Sequence, residues 1–251
     1  MTHASFAEIG IPRSARNVKA RPWTIEFTWH DLLFLHWPVP PSSLRSLLPA
    51  PLDLDLYDGS AWVGVIPFFM SGIRLRGLPP LPGTSAFAEV NVRTYVRFRG
   101  QPGVYFFSLD AASRLAVRAA RAWYHLPYFH ARMSVEKEAD AVRYSSERRD
   151  HPRPAEFRAR YRPTSEVRAS LRGSLEHWLT ERYCLFTTDR RGNVIRAEIH
   201  HQPWPLQSAE VALERQTLAH AAGIHLPETA PLAHFSRRLD VYVWRPEYLE
   251  P

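Results

Sequence analysis

Four polar side chains recur at every second position of the segment 87–99: Glu89, Asn91, Arg93 and Tyr95. In an extended strand this spacing puts all four on one face. An acid, an amide, a guanidinium and a phenol bring together a proton carrier, a hydrogen-bonding pair and a fork that matches a carboxylate. A second set, Tyr128, His130 and Arg132, alternates with Phe129 and Ala131. Ser108 and Asp110 share one face of the segment between the two sets. If these faces line a cavity, the chemistry is acid–base work on a small anion. Arg93 or Arg132 pairs with a substrate carboxylate, Glu89 and Tyr128 exchange protons, and Asn91, Tyr95 and Ser108 complete the contacts. Desolvation would raise the pKa of Glu89 towards a useful value, and a neighbouring Arg would lower it. The same spacing equally suits a water-facing strand or a buried structural ion pair, and Asp110 equally suits a turn cap.

Other chemistries lack their residues. There is no Gly-rich phosphate loop, dinucleotide fingerprint or nucleophile-elbow Ser. Neither CxxC nor HExxH occurs, and the adjacent His200 and His201 would point to opposite faces of a strand. No metal and no cofactor is therefore expected. Cys184 follows a helical segment and opens an apolar strand, so it reads as a buried structural thiol rather than a nucleophile. The chain is basic, with a formal net charge of +7, yet its only lysines are Lys19 and Lys137. Any amine chemistry has just those two candidates. Arginines crowd the stretch 143–172, but Glu147, Asp150, Glu156 and Glu166 interleave with them. That pattern fits a solvated, charge-protected sheet edge better than a nucleic-acid surface.

The elements that must position these residues are mostly strands. The alternating strand over 87–99 ends at the turn 100–103, and 104–110 returns beside it. Ser113 caps a short helix through Trp123 that His125-Leu-Pro127 stops. A strand over 128–136 turns at 137–140 into 141–147, and another covers 155–162. Ser174 caps a helix through Arg182, with Leu175, Trp178 and Leu179 as its apolar stripe. Strands 184–188 and 194–201 flank a hairpin loop. Ser208 opens a helix that ends at Gly223, and 239–244 is the closing strand. Upstream, Ser42 or Ser43 caps a helix over 41–48, and 62–69 is a buried strand.

With 251 residues, 22 Pro and 11 Gly, the composition favours many bounded strands over long helices. A chain of this length buries roughly three-quarters of its unfolded surface, so it needs no disulfide staple. The fold expected is mainly β: one antiparallel barrel or sandwich over 23–251 with short peripheral helices, preceded by a loose arm over 1–22. One cysteine, no signal-like segment, and an uncharged stretch (59–73) interrupted by Pro67 lead to the expectation of a cytoplasmic chain that crosses no membrane.

The motifs also carry a resemblance. Phe87-Ala-Glu-Val-Asn-Val-Arg-Thr-Tyr-Val96, Gly103-Val-Tyr-Phe-Phe-Ser-Leu-Asp110 and Leu126-Pro-Tyr128 are similar to segments of the YqjF-like family of uncharacterised bacterial proteins. His36-Trp37, Asp58-Gly-Ser-Ala-Trp62 with Pro67-Phe68, Gly173-Ser-Leu-Glu176 with Leu179-Thr-Glu-Arg-Tyr183, and His201-Gln-Pro-Trp204 extend the match from about Trp29 to Trp244. That family in turn resembles acetoacetate decarboxylase. The resemblance implies a closed β-barrel with a ligand cavity and flanking helices. It puts the decarboxylase's acidic strand residue at Glu89 and its imine-forming lysine at Tyr128. A tyrosine forms no imine, so the resemblance does not carry the Schiff-base mechanism across. It does favour Glu89, Arg93 and Tyr128 as cavity residues, and leaves His130 and Arg132 open.

Two functions from different classes follow. One is a lyase or hydratase acting on a small oxo- or hydroxy-acid through Glu89 and Tyr128. The other is a non-catalytic barrel that binds a small ligand. The partner expected is an anionic or ketonic small molecule, with no nucleic acid and no membrane; assembly into a homo-oligomer stays open.

Overall fold

A computed structural model of the chain describes residues 21–81, 85–149 and 151–250. Of the arm expected over 1–22, all but Arg21 and Pro22 lies outside the described residues, as does Lys19.

The described residues form fourteen strands and four short helices. The strands are β1 (Ile25–Val39), β2 (Asp53–Leu54), β3 (Ala61–Leu75), β4 (Phe87–Phe98), β5 (Gln101–Ala111), β6 (Tyr128–His130), β7 (Arg132–Glu138), β8 (Ala141–Arg148), β9 (Ala155–Pro163), β10 (Cys184–Thr188), β11 (Val194–His201), β12 (Gln207–Gln216), β13 (Leu232–Val243) and β14 (Glu247–Tyr248). The helices are α1 (Pro41–Arg45), α2 (Arg114–Tyr124), α3 (Leu175–Thr180) and α4 (Leu218–Ala221). The mainly β expectation holds.

Pairing runs β14-β11-β10-β5-β4-β3-β1-β13-β12-β9-β8-β7. An additional β11–β13 pairing returns the path on itself, so β11, β10, β5, β4, β3, β1 and β13 pair in succession around a ring. β12 carries the path onward: Gln207 and Ser208 pair with β13, and Ala209–Gln216 pair with β9. Strands β12, β9, β8 and β7 thereby form a second layer.

Strands β1 and β3 carry apolar residues on both faces, and β4 carries Val90 and Val92 on one face and the polar row from Glu89 on the other, so one face turns inward and the other binds the second layer. Leu33, Leu35, Val63, Val65, Val90 and Val92 pack with Tyr144, Phe157 and Tyr161 of the second layer. Two buried phenols tie the layers through backbone carbonyls. Tyr144 donates to Glu89 O at 2.7 Å, and Tyr161 donates to Asp31 O at 2.8 Å. The opposite face carries Leu32, Phe34, Ile66, Phe68, Ala111 and Trp204.

Ser113 and Ser174 cap α2 and α3 as expected, accepting from the N–H of Ala116 and of His177. Three expectations are corrected. The helix over 208–223 is strand β12 followed by the one-turn α4. Ala209, Val211 and Leu213 pack on the second layer's core while Glu210, Ala212 and Glu214 face outward, a period of two. Gly223, at φ 83°, does end α4. No side chain caps α1: Pro40 is its N-cap residue, and Ser42 and Ser43 lie inside the helix. The strand over 128–136 is broken at Ala131, because β6 pairs with β5 whereas β7 crosses into the second layer. β1 and the first half of β13 carried no sequence signal that was read as strand. Both are nearly continuous apolar or mixed runs rather than clean alternations. Among the described residues, no helix is long and apolar enough to cross a membrane.

Candidate functional site

Three neighbouring strands set the register. Glu89 pairs with Phe68 of β3 and Ala111 of β5; Asn91 pairs with Ile66 and Leu109. β6 then adds alongside β5 in parallel and puts Tyr128 next to Leu109. Ala111 presents only a methyl between the rows, and Tyr128 reaches over to Glu89. Its hydroxyl donates to Glu89 Oε2 at 2.8 Å. Glu89 is buried, with 3% of its surface exposed. Burial raises its carboxyl to about 8, with a further push from the Asp110 charge, against the opposing hydrogen bonds of Tyr128 and Asn91. Tyr128 is itself driven well above the ordinary phenol range by desolvation and by the Glu89 charge. Near neutral pH both groups hold their protons.

Arg93 and Tyr95 continue the row. Gly64 lies between His36 and Arg93 in the register. A Cβ there would meet the His36 ring at 3.2 Å and Arg93 Cγ at 3.3 Å, so the glycine lets both side chains close over it. His36 Nε2 lies 2.7 Å from the Tyr95 hydroxyl, which also accepts from Arg93 at 3.5 Å. Burial and the Arg93 charge keep the His36 ring well below its usual pKa, hence neutral. Tyr95 is held from behind by Arg182, whose guanidinium lies 5.0 Å from its ring centroid and donates to Asp55 at 2.6 Å. An aromatic wall closes the face: Trp204 stacks on Trp29 at 5.3 Å and meets Phe34 edge-on at 4.8 Å. Several buried polar atoms here have no hydrogen-bond partner among the described residues: Asn91 Oδ1, Arg93 Nε, His36 Nδ1, His234 Nδ1 and Trp204 Nε1. Unpaired buried polar atoms are costly, so a cluster of them marks room for water or a ligand.

Glu89, Asn91, Arg93, Tyr95 and Tyr128 are thus brought to one face; Ser108 and Arg132 are not. A β-bulge in β5 reverses the parity between Phe106 and Ser108. Ser108 pairs with Val92 and Asp110 with Val90, on the face that meets the second layer. There Arg148 of β8 donates to both Asp110 carboxylate oxygens, Nε at 2.9 Å. Asp110 is therefore neither a lumen residue nor a turn cap but half of a buried ion pair. Arg132 is exposed because it lies beyond the break at Ala131, in β7 opposite Glu147. His130 is half-buried beside Ala111. Lys137 is exposed and pairs with Asp31 at 2.7 Å. Cys184 is buried, its thiol pushed up to about 12 by burial. Among the described residues no group of His, Cys, Asp or Glu is arranged to hold a metal.

Sequence reasoning singled out neither His36 nor His234 as a site residue. His234 pairs with Phe34 on this same inner face. Its Nε2 lies 2.9 Å from Glu176 Oε1, and Arg168 grips the same carboxylate with two donors. Nothing in the spacing joins a strand histidine to a helix glutamate 58 residues earlier.

Fold and site together define a mainly β protein of the acetoacetate-decarboxylase-like fold, with a buried acid hydrogen-bonded to a half-buried phenol on its inner face. Acetoacetate decarboxylase from Legionella pneumophila matches with a TM-score of 0.64, covering 98% of both chains at 12% identity. The enduracididine biosynthesis enzyme MppR, in a structure complexed with pyruvate, matches with a TM-score of 0.61, covering 99% of both chains at 12% identity. At such identities the likeness shows the fold. The chain belongs to the DUF2071 family, described as an uncharacterized conserved protein, whose model matches residues 26–240. It is 49% identical over 222 residues to the uncharacterized protein YqjF of Bacillus subtilis (strain 168), covering 88% of this chain and 91% of that one.

Proposed function

We propose that the chain is a lyase or hydratase acting on a small oxo- or hydroxy-acid, by acid–base chemistry and without an imine. The observation that carries this is the 2.8 Å hydrogen bond between Tyr128 and Glu89 on a largely apolar inner face. Glu89, protonated near neutral pH, gives a proton through or beside Tyr128 to a carbonyl or departing hydroxyl oxygen. Arg93, with an unpaired Nε, binds the substrate carboxylate, and Asn91 and Tyr95 orient it. The ring of paired strands supports a barrel that encloses this face, in a chain read as cytoplasmic. Pyruvate, named with one protein of the same fold, is the natural first probe. The test is a panel of 2-oxo- and 2-hydroxy-acids, led by pyruvate and lactate, followed by proton NMR in D2O. Turnover, or exchange of protons beside the carbonyl, is expected, with Glu89→Gln losing on the order of a hundredfold or more. Saturable binding of these acids with neither turnover nor exchange would instead establish the non-catalytic ligand-binding reading.

A further inference from the structure

A proton inventory leaves this site short of an acceptor. Glu89 and Tyr128 both hold protons near neutral pH. Elimination, hydration and enolisation each need one group that gives a proton and another that takes one. His36 is a poor acceptor: burial and the neighbouring Arg93 charge hold its ring well below the usual imidazole range, and its Nε2 meets the Tyr95 hydroxyl rather than a carboxylate.

His234 has the geometry of the missing group. Glu176 is ionised, held at about 2 by the Arg168 hydrogen bonds. A carboxylate only accepts, so His234 Nε2 carries the hydrogen, and Nδ1 is the ring atom left to take a proton. That Nδ1 is buried and without a hydrogen-bond partner among the described residues. The His234 side chain is only 3% exposed. Its pairing with Phe34, whose ring centroid lies 5.5 Å from the Arg93 guanidinium, puts it on the face that carries Arg93 and Glu89. A base oriented by a carboxylate that is itself clamped is the arrangement of activated acid–base pairs.

We propose that His234 is the proton acceptor of this site, with Glu176 as its positioning residue and Glu89–Tyr128 as the donor pair. This rests on the oxo-acid reading above. With pyruvate, the step breaks one methyl C–H bond and its proton goes to Nδ1. The electron pair forms the C=C bond of the enol, and the carbonyl oxygen takes a proton from the Tyr128–Glu89 pair. Reversal in D2O returns a deuteron to the methyl carbon.

The experiment is pyruvate methyl exchange in D2O, read by proton NMR, with pyruvate binding followed separately by tryptophan fluorescence. The wild-type chain should exchange the methyl protons. His234→Gln should lose a hundredfold or more while still binding pyruvate. His234→Ala should regain exchange on adding imidazole, a rescue that a packing role would not produce. Glu176→Gln should slow exchange about tenfold and displace its pH profile. Exchange that survives in His234→Gln but is lost in Glu89→Gln overturns the assignment and leaves the oxo-acid reading intact. A folded His234→Ala that imidazole cannot rescue also overturns it. No exchange in the wild-type chain with any 2-oxo-acid overturns both.

Discussion

A carboxyl that titrates near 8 is the unusual residue of this molecule, and its cost is measurable without any substrate. Glu89 has a folded pKa of about 8 against an unfolded carboxyl near 4.5. The folded state therefore binds the proton more tightly. Stability is complete below about pH 4.5, falls as pH rises towards 8, and levels off beyond. The shift corresponds to a loss on the order of 5 kcal/mol across that window. Urea denaturation from pH 4.5 to 8.5 should show this slope, and Glu89→Gln should flatten it; an unchanged slope in the variant would sink the protonated-acid argument. A second residue-scale prediction concerns amines. Lys137 is exposed and engaged by Asp31, and the sequence resemblance puts the decarboxylase's lysine at Tyr128, which forms no imine. Incubation with acetoacetate and borohydride should leave the protein's mass unchanged; an adduct mapped to Lys137 would contradict it. The inner-face row was legible because Glu89, Asn91, Arg93 and Tyr95 obey a strict period of two. Ser108 was misassigned because a bulge, which leaves no mark in residue type, inverted its parity. His234 was invisible because its partner comes from a distant helix.

At the scale of elements, the legible parts were those with local signals. The serine caps of α2 and α3, the alternation of β4 and the existence of the β4–β5 hairpin all depend on neighbours in sequence, although its turn is Arg99-Gly100 and residues 101–103, expected in the turn, already pair in β5. β12 failed because Ser208 resembles a helix cap and Gly223 a helix end, while Val211 and Leu213 already alternated with Glu210 and Glu214. The tertiary pairing with β9 decided between the two readings. β5 shows how one small residue lets elements meet. At Gly103 a Cβ would come within 2.7 Å of the Phe186 ring and 2.8 Å of Cys184 Sγ, both fixed in the core between β5 and β10. Gly103→Ala should therefore destabilise the fold by about 1–3 kcal/mol, since overpacking a close-packed core forces neighbours off their rotamers. Thermal unfolding of the variant checks this. A melting temperature equal to wild type would mean that β10 shifts freely, against the packing described.

The described residues form a ring of paired strands and a second layer joined through polar links, and one of those links reaches the site. Asp110 on β5 and Arg148 on β8 are almost wholly buried and bind each other through two hydrogen bonds, with the guanidinium 3.8 Å from the centroid of Phe129. Removing one member of such a pair strands a buried charge and typically costs 3–5 kcal/mol, whereas replacing both with apolar groups is often near neutral. Arg148→Met should accordingly lower stability by about 3–5 kcal/mol, and Asp110→Leu combined with Arg148→Met should recover most of that loss. Urea denaturation of the two variants and the wild type measures both numbers. The link has a consequence for chemistry as well. Asp110, on β5, points to the opposite face of the sheet from Glu89, yet its charge helps to raise the Glu89 carboxyl. The double variant removes the Asp110 charge and keeps the layers packed, so the Glu89 pKa should fall to the extent that the Asp110 charge outweighs that of Arg148 at Glu89. Titration of the Glu89 carboxyl by carbon-detected NMR in the double variant separates the two effects. An unchanged pKa would show that burial and the Tyr128 and Asn91 hydrogen bonds set it without the second layer; a lowered one would show that the second layer tunes the acid it covers.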